Sequence, residues 1–462
     1  MSDNRSTALD YAHQNRNRFL DKLIAFSKFP SISTDPDYKE TVQRTAEWLA
    51  KQLEALGLDN VTIFSTPGHP IVYGELETTA KNQPTVLIYG HYDVQPAEPL
   101  DQWISPPFEP TLRDDNLYAR GATDMKGQVM ATLKAIESIT RTNSLPVNIK
   151  FIIEGEEEIG SPNLAEFIKK HKKLLSCDFA LNPDTGMIAP NLPTITYALR
   201  GLAYFEIRIH GPSQDLHSGV FGGVVHNPAQ VLADLIAGMH NEKGQVTLPG
   251  FYDPVRPLTQ EERDEIARLP INEAWWIKNT GAPALWGEEG YTPKERVGGR
   301  PTLEVNGMIS GFTGEGSKTV LPAYAMAKIS CRLVPDQNPD EVHRQLIEYM
   351  EDNSPPTIQW EVIPLAGGAP SISDRKSPWV QAYRKAAESA WGTSPVFKRE
   401  GGSVPVVIYF QEILGIQSVN MGFGLPTDNM HGPNEKLHLP TWYRGIDALI
   451  HFFYNLQNLS ND

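Results

Sequence analysis

Five side chains with the donor atoms of a metal site stand far apart in the chain: His91, Asp124, Glu158, Asp184 and His431. Two imidazoles and three carboxylates, without a thiolate, suit a pair of divalent ions such as zinc or manganese. One carboxylate bridging both ions, with one histidine and one further carboxylate on each, uses the whole set, and Asp124 is the natural bridge. Metal binding makes water acidic enough to react near neutral pH, and a general base must then receive and pass on its proton. Glu157, beside Glu158, is placed to do so. Asp93 lies two residues beyond His91, on the same face of an extended backbone, so it can hold one ring nitrogen and leave the other for a metal. Taken alone, the acidic run in EGEEEIGS reads as a solvated turn. Three consecutive glutamates at the end of a buried apolar strand call instead for a cation, because like charges that close repel.

These residues need elements that gather them. Val86 to Tyr89 form an apolar run short enough for a buried strand, which stops at Gly90 just before His91. VTIF from Val61, IVYGEL from Ile71, VNIKFIIEG from Val147 and DFALN from Asp178 read as further strands. Between and around them, helical spacing predicts helices over about 9–29, 42–56, 125–139 and 163–175. Strands alternating with helices argue for an α/β fold, a doubly wound, mostly parallel sheet with helices on both faces. In such a sheet the loops beyond the carboxyl ends of the strands converge, so residues as distant as Asp184 and His431 can meet there.

Near Arg200 the pattern changes. LAYFEIRIHG from Leu202 alternates apolar with polar, as a half-exposed antiparallel strand does, and a helix over about 228–239 follows. LEVNGMIS, AYAMAKISCRLV and IQWEVIPL read as further strands with a helix over 339–350, whereas the Gly-, Pro- and Trp-rich stretch 249–301 yields no clear pattern. The expectation is an inserted α+β domain over 201–368, inside a catalytic domain made of 1–200 and 369–462. The α/β pattern resumes after Ser377 with a helix to Trp391, the strand IQSVNMGF and a last helix over 441–456.

The chain has 462 residues, enough for two or three domains, and a formal charge of −15, which argues against nucleic-acid or anionic-membrane partners. Its N-terminus lacks the apolar core of a signal peptide, and no run approaches a membrane span. With only Cys177 and Cys331, a disulfide framework and a cysteine metal site are both excluded, and the expected location is the cytoplasm.

GHYDVQP, RGATDMKG, EGEEEIGS, LNPD, DLHSGVFGG, ISCRLVPD, REGGSVPV and NMHGPNE occur in that order across nearly the whole chain. Together they resemble the aminoacylase, carnosinase and succinyl-diaminopimelate desuccinylase family of dinuclear zinc peptidases, most of all its non-specific cytosolic dipeptidases. The resemblance implies that Asp124 bridges the ions, that His91 and Asp184 bind one and Glu158 and His431 the other, and that Asp93 orients His91. It also makes Glu157 the base and the peptide bond after Asp124 cis. Here Glu156 lengthens the acidic pair to a triplet, so a register with Glu156 as base and Glu157 as ligand is the alternative. The IGS that follows keeps the family spacing and selects Glu157 and Glu158.

The same resemblance assigns substrate contacts. His217 of DLHSG, in the inserted domain, would reach the active site of a neighbouring subunit and steady an oxyanion, which makes a homodimer a functional requirement. Arg332 would hold the free α-carboxylate of a small peptide, a task that suits its planar fork. Thr319 and the loop of Gly401, Gly402 and Ser403 resemble further carboxylate contacts. The inserted domain would then be a lid and dimer platform. The reading that follows is a two-metal dipeptidase with Glu157 as base. An N-acyl amino acid deacylase or desuccinylase on the same site and a catalytically inactive binding protein of the same fold are the alternatives.

Overall fold

The computed structural model describes residues 4–79, 82–402, 404–457 and 459. The chain divides into two compact units. The first comprises Met1–Tyr197, Ser373–Lys398 and Val404–Asp462, and the second Ala198–Ile372 with a short stretch beginning at Arg399. The sequence reading had left that stretch with 369–462. Its side chains explain the difference, because Arg399 pairs with Glu262 and the Gly401 carbonyl accepts from Arg200 Nε at 3.2 Å.

In the first unit one sheet passes through Asp59–Phe64, Ile71–Leu76, Asn148–Glu154, Thr85–His91, Phe179–Asn182, Ser418–Met421 and Thr194–Leu199 in that spatial order. The run from Asn148–Glu154 to Ser418–Met421 is parallel, and the pairings outside it are antiparallel. The parallel character expected from the sequence therefore holds at the centre, where burial on both faces demands continuous apolar runs. Val86, Leu87, Ile88 and Tyr89 are all at most 1% exposed. Neighbouring residues of a strand point to opposite faces. A Cβ on Gly90 would lie 2.7 Å from Val129 Cγ2, in the helix Gly127–Thr140, whereas the Tyr89 ring meets Phe410 edge-on at 6.2 Å. Helical segments thus cover both faces.

The helix expected over 9–29 is two, Asn4–Gln14 and Arg16–Ser27, interrupted where the Asn15 side chain donates to the Tyr11 carbonyl. This is the competition between a short amide and the helix ladder. The helix expected over 163–175 spans only Leu164–Lys170. The strand Thr194–Leu199 was not anticipated, because its threonines break the apolar pattern, yet every residue in it is buried.

The second unit has a four-stranded antiparallel sheet ordered Thr302–Ser310, Tyr324–Leu333, Gly201–His210, Gln359–Gly368. Ala203, Phe205, Ile207 and Ile209 alternate inward and pack in one core with Val231, Leu232 and Leu235 of the helix Pro228–Gly238 and Val342 and Leu346 of Pro339–Asn353. The unread stretch holds short helices at Gln260–Ala267, Glu273–Thr280 and Pro293–Gly299. Two of them open with reciprocal caps, Thr259 with Glu262 and Thr292 with Glu295. That Thr-x-x-Glu spacing is a start signal legible in the sequence.

At Gly90 the sheet lies close against the helix Gly127–Thr140, with no room for a Cβ beside Val129. Replacing Gly90 with valine overpacks against Val129 and is expected to cost about 1–3 kcal/mol, read as a lower melting temperature of the full-length protein. An unchanged melting temperature would contradict this packing.

Candidate metal centre

His91 closes its strand, and Asp124 occupies the turn before the helix Gly127–Thr140. Glu157 and Glu158 form a single 3-10 turn after the strand Asn148–Glu154, and Asp184 follows Phe179–Asn182. His431 lies in the loop after Ser418–Met421, in a left-handed conformation with φ of 60°. All of these elements belong to the first unit. Because the central strands are parallel, their carboxyl ends share one edge, and the side chains meet there.

The meeting has a definite pattern. Asp124 Oδ1 lies 3.1 Å from His91 Nε2, and Asp124 Oδ2 lies 3.0 Å from His431 Nε2. Asp184 Oδ1 is 3.9 Å from His91 Nε2, and Glu158 Oε2 is 3.3 Å from His431 Nε2. Two ligand sets result, His91 with Asp124 and Asp184, and Asp124 with Glu158 and His431. They share Asp124. Each set offers one imidazole and two carboxylates whose donor atoms lie within 4.8 Å of one another, which fits a divalent ion of the zinc or manganese type. The peptide bond between Asp124 and Met125 is cis.

Asp93 does more than hold a ring. Its backbone carbonyl lies 3.1 Å and its Oδ1 3.4 Å from His91 Nδ1, and the two carboxylate oxygens also accept the backbone N–H groups of Glu157 at 3.2 Å and Glu158 at 3.0 Å. One buried carboxylate therefore ties His91 to the glutamate turn. Glu156 points elsewhere and accepts from the His69 backbone N–H and from Asn163 Nδ2. It anchors the loop, while Glu158 faces His431.

Sequence reasoning missed Glu435, although it ends the quoted NMHGPNE motif. Its carboxylate accepts the backbone N–H groups of Gly121, Thr123 and Asp124, and it pairs with Arg120 at 2.7 Å. A glutamate inside a Gly- and Pro-rich loop close to a candidate ligand histidine was the available signal.

The remaining predicted residues lie in the second unit. His217 is exposed, and its Nδ1 accepts the Gly219 N–H. The pairing of Leu216–His217 with Val320–Leu321 brings it beside Thr319, whose carbonyl accepts the Ser218 N–H at 3.1 Å. Arg332 sits on the central strand Tyr324–Leu333, half-buried. Burial, and then the positive charge of Arg332, push Arg200 down to about 10, so the two guanidinium groups are neighbours. Arg200 in turn holds the carbonyl of Gly401, next to the exposed Gly402. Arg200 was not singled out in the sequence, where nothing marks it beyond its place before a strand. Ser403 lies outside the described residues.

A model of the peptidase family M20/M25/M40 matches residues 87–455. The chain is 32% identical to the human Beta-Ala-His dipeptidase over 93% of this chain and 88% of that protein. It is also 32% identical to the Cys-Gly metallodipeptidase DUG1 of Candida albicans, over 94% of each. Among solved structures, an M20 family metallo-carboxypeptidase from Sulfolobus solfataricus aligns with a TM-score of 0.83 at 36% identity, covering 96% of this chain and 99% of that one.

The protein side chains of the cluster share protons in a way that bears on ion binding. Hydrogen bonds to Asp124 and then Glu158 push His431 up to about 10. Burial lifts Asp184 to about 7 and Glu157 to about 9, with the neighbouring carboxylates adding to both. Without ions His431 and Glu157 hold protons near neutral pH; an incoming ion must displace the one on His431 to reach its nitrogen, and its positive charge would lower the proton affinity of Glu157 and free that carboxylate. Ion affinity should rise with pH throughout the range below about 10. Titrating zinc into metal-free protein at pH 7, in buffers of different ionisation enthalpy, is expected to show release of roughly two protons, one from each histidine, because His91, despite its burial, is also held well above its ordinary value by Asp124 and Asp93. A heat independent of the buffer would contradict the ligand assignment.

Proposed function

The chain belongs to the peptidase family M20/M25/M40, and from that membership we propose that it is a two-metal dipeptidase acting on small peptides with a free C-terminal carboxylate. The observation that carries the reading is the pair of ligand sets sharing Asp124, with Glu157 beside them. In this reading His91 and Asp184 would hold one ion and Glu158 and His431 the other, with Asp124 shared by both sets. Zinc is the ion that the donor set favours, with manganese second. Ions held there supply the Lewis acidity that makes water nucleophilic near neutral pH.

The chain's own residues do the rest. Glu157, whose burial raises its affinity for a proton, takes one from the attacking water and returns it to the leaving amine. Asp93 fixes the ring of His91 and the backbone of Glu157 together, so ligand and base keep one geometry. Arg332 binds the substrate's α-carboxylate through its planar fork, assisted by Thr319, Gly402 and Ser403. His217 stabilises the oxyanion in the site of a partner subunit, which makes the working form a homodimer and the second unit its lid and dimer platform. The proposed location is the cytoplasm. Two free cysteines support it, and no helix among the described residues is long and apolar enough to cross a membrane.

A second reading has its own support, because the Sulfolobus solfataricus relative is a metallo-carboxypeptidase. Under it the same site removes the last residue of longer peptides. A panel of dipeptides, tripeptides, longer peptides and N-acetyl and N-succinyl amino acids, with zinc, with manganese and with chelator, separates the possibilities. Metal-dependent cleavage of dipeptides with the others largely spared is the expected result. C-terminal trimming of longer peptides would move the assignment to a carboxypeptidase, and preference for acyl amino acids to a deacylase.

Glu157→Gln is expected to lower kcat about 10²–10⁴-fold while metal content stays at the wild-type level. His217→Ala is expected to lower kcat about 10²–10³-fold. Undiminished turnover in either variant would remove that residue from the mechanism.

A further inference from the structure

Arg120 and Glu435 are each 1% exposed and are separated by most of the chain. Glu435 Oε2 accepts from Arg120 Nη1 at 2.7 Å and from the Gly121 N–H at 2.9 Å. Its Oε1 accepts from the Thr123 N–H at 3.0 Å and the Asp124 N–H at 3.2 Å. Every acceptor position of this carboxylate is therefore used on the loop that presents Asp124. The other end of Arg120 is equally committed. Its Nη2 donates to the carbonyl of Pro96 at 3.0 Å and to the carbonyl of His431 at 3.1 Å.

We propose that this buried pair is the positioning element for the second ion: it sets Asp124 and His431 at the separation that lets both bind one cation, and so makes the site dinuclear. The inference rests on the two-ion reading above. It predicts an asymmetry between the two ligand sets. In the set Asp124, Glu158 and His431, two of the three members are held through Arg120 and Glu435. In the set His91, Asp124 and Asp184, only Asp124 is, because His91 ends a sheet strand and its ring is held by Asp93. His431 has the greater need, since its left-handed backbone, at φ of 60°, is one that residues other than glycine rarely adopt unless other contacts hold it.

Glu435→Gln keeps the shape but turns one acceptor into a donor facing backbone N–H groups, and it leaves Arg120 buried without a counter-charge. Arg120→Lys keeps a cation for Glu435 but cannot reach the carbonyls of Pro96 and His431 together. Neither residue touches substrate in this scheme. The metal-free full-length wild type and both variants are titrated with manganese(II), with stoichiometry from equilibrium dialysis and the spectrum from low-temperature electron paramagnetic resonance.

The wild type is expected to bind two ions and to show the exchange-coupled spectrum of a bridged pair. In both variants the second ion should bind about 10–100-fold more weakly, the first within about threefold of wild type, and the spectrum should be that of isolated ions until the second site fills. Two ions bound with wild-type affinities and a coupled spectrum in the variants would overturn the proposal. Equal weakening of both ions would overturn it too, because a general scaffold, and not a second-site device, would be the cause. A wild type that binds at most one ion would instead defeat the two-ion reading, and the proposal with it. Should Glu435→Gln not fold, Arg120→Lys decides by the same readings.

Discussion

Both oxygens of Asp124 are committed to an imidazole, Oδ1 to His91 and Oδ2 to His431, in a site that also holds Asp184 and Glu158. Asp124 is 7% exposed and His91 and Asp93 not at all, so little water is available to screen these charges. Burial opposes the charged form of each carboxylate, and proximity adds repulsion between them. The arrangement persists in a folded chain only if positive charge enters it. In the protein alone that charge comes from protons on the histidines, and a divalent ion replaces those protons with a stronger positive centre.

The rest of the first unit can be understood as what this crowding requires. Parallel strands bring their carboxyl ends to one edge, so that loops distant in sequence open on one space. Each loop is then tied to the next by a buried carboxylate that binds backbone N–H groups. Asp93 joins His91 to the Glu157 turn, Glu156 anchors the far side of that turn, and Glu435 supports the Asp124 turn. Backbone donors suit this job because they cannot titrate or change rotamer. They also leave the facing side chains, Glu157 among them, for chemistry.

Much of this was legible in the residues. Buried parallel strands need unbroken apolar runs, so VLIY, FIIE and FALN announced themselves, and the polar residues that follow marked where chemistry could sit. The alternation of LAYFEIRIHG likewise announced a sheet with one covered face, and the burial of Gly201–His210 follows it. Other features were hidden by competing signals. Asn15 divides a helix that its apolar spacing had made continuous, and the threonines of Thr194–Leu199 concealed a strand that is fully buried. Arg200 looked like an ordinary surface charge, because nothing local distinguishes a charge that will sit inside from one that will face water, and Glu435 carried only the faint signal of its Gly- and Pro-rich loop.

By itself the sequence determined the types of donor present, their order, their attachment to strand ends and the change of sheet character near Arg200. Those properties are local: side-chain chemistry and hydrophobic period are carried by residues close together in the chain. Tertiary structure decided which donors meet, that Asp124 stands between both histidines, that Glu158 and not Glu156 faces His431, and that a glutamate 311 residues away holds the Asp124 turn. These are properties of distance between remote segments. A spacing of hundreds of residues constrains no distance until the sheet has assembled and its loops are closed on one another.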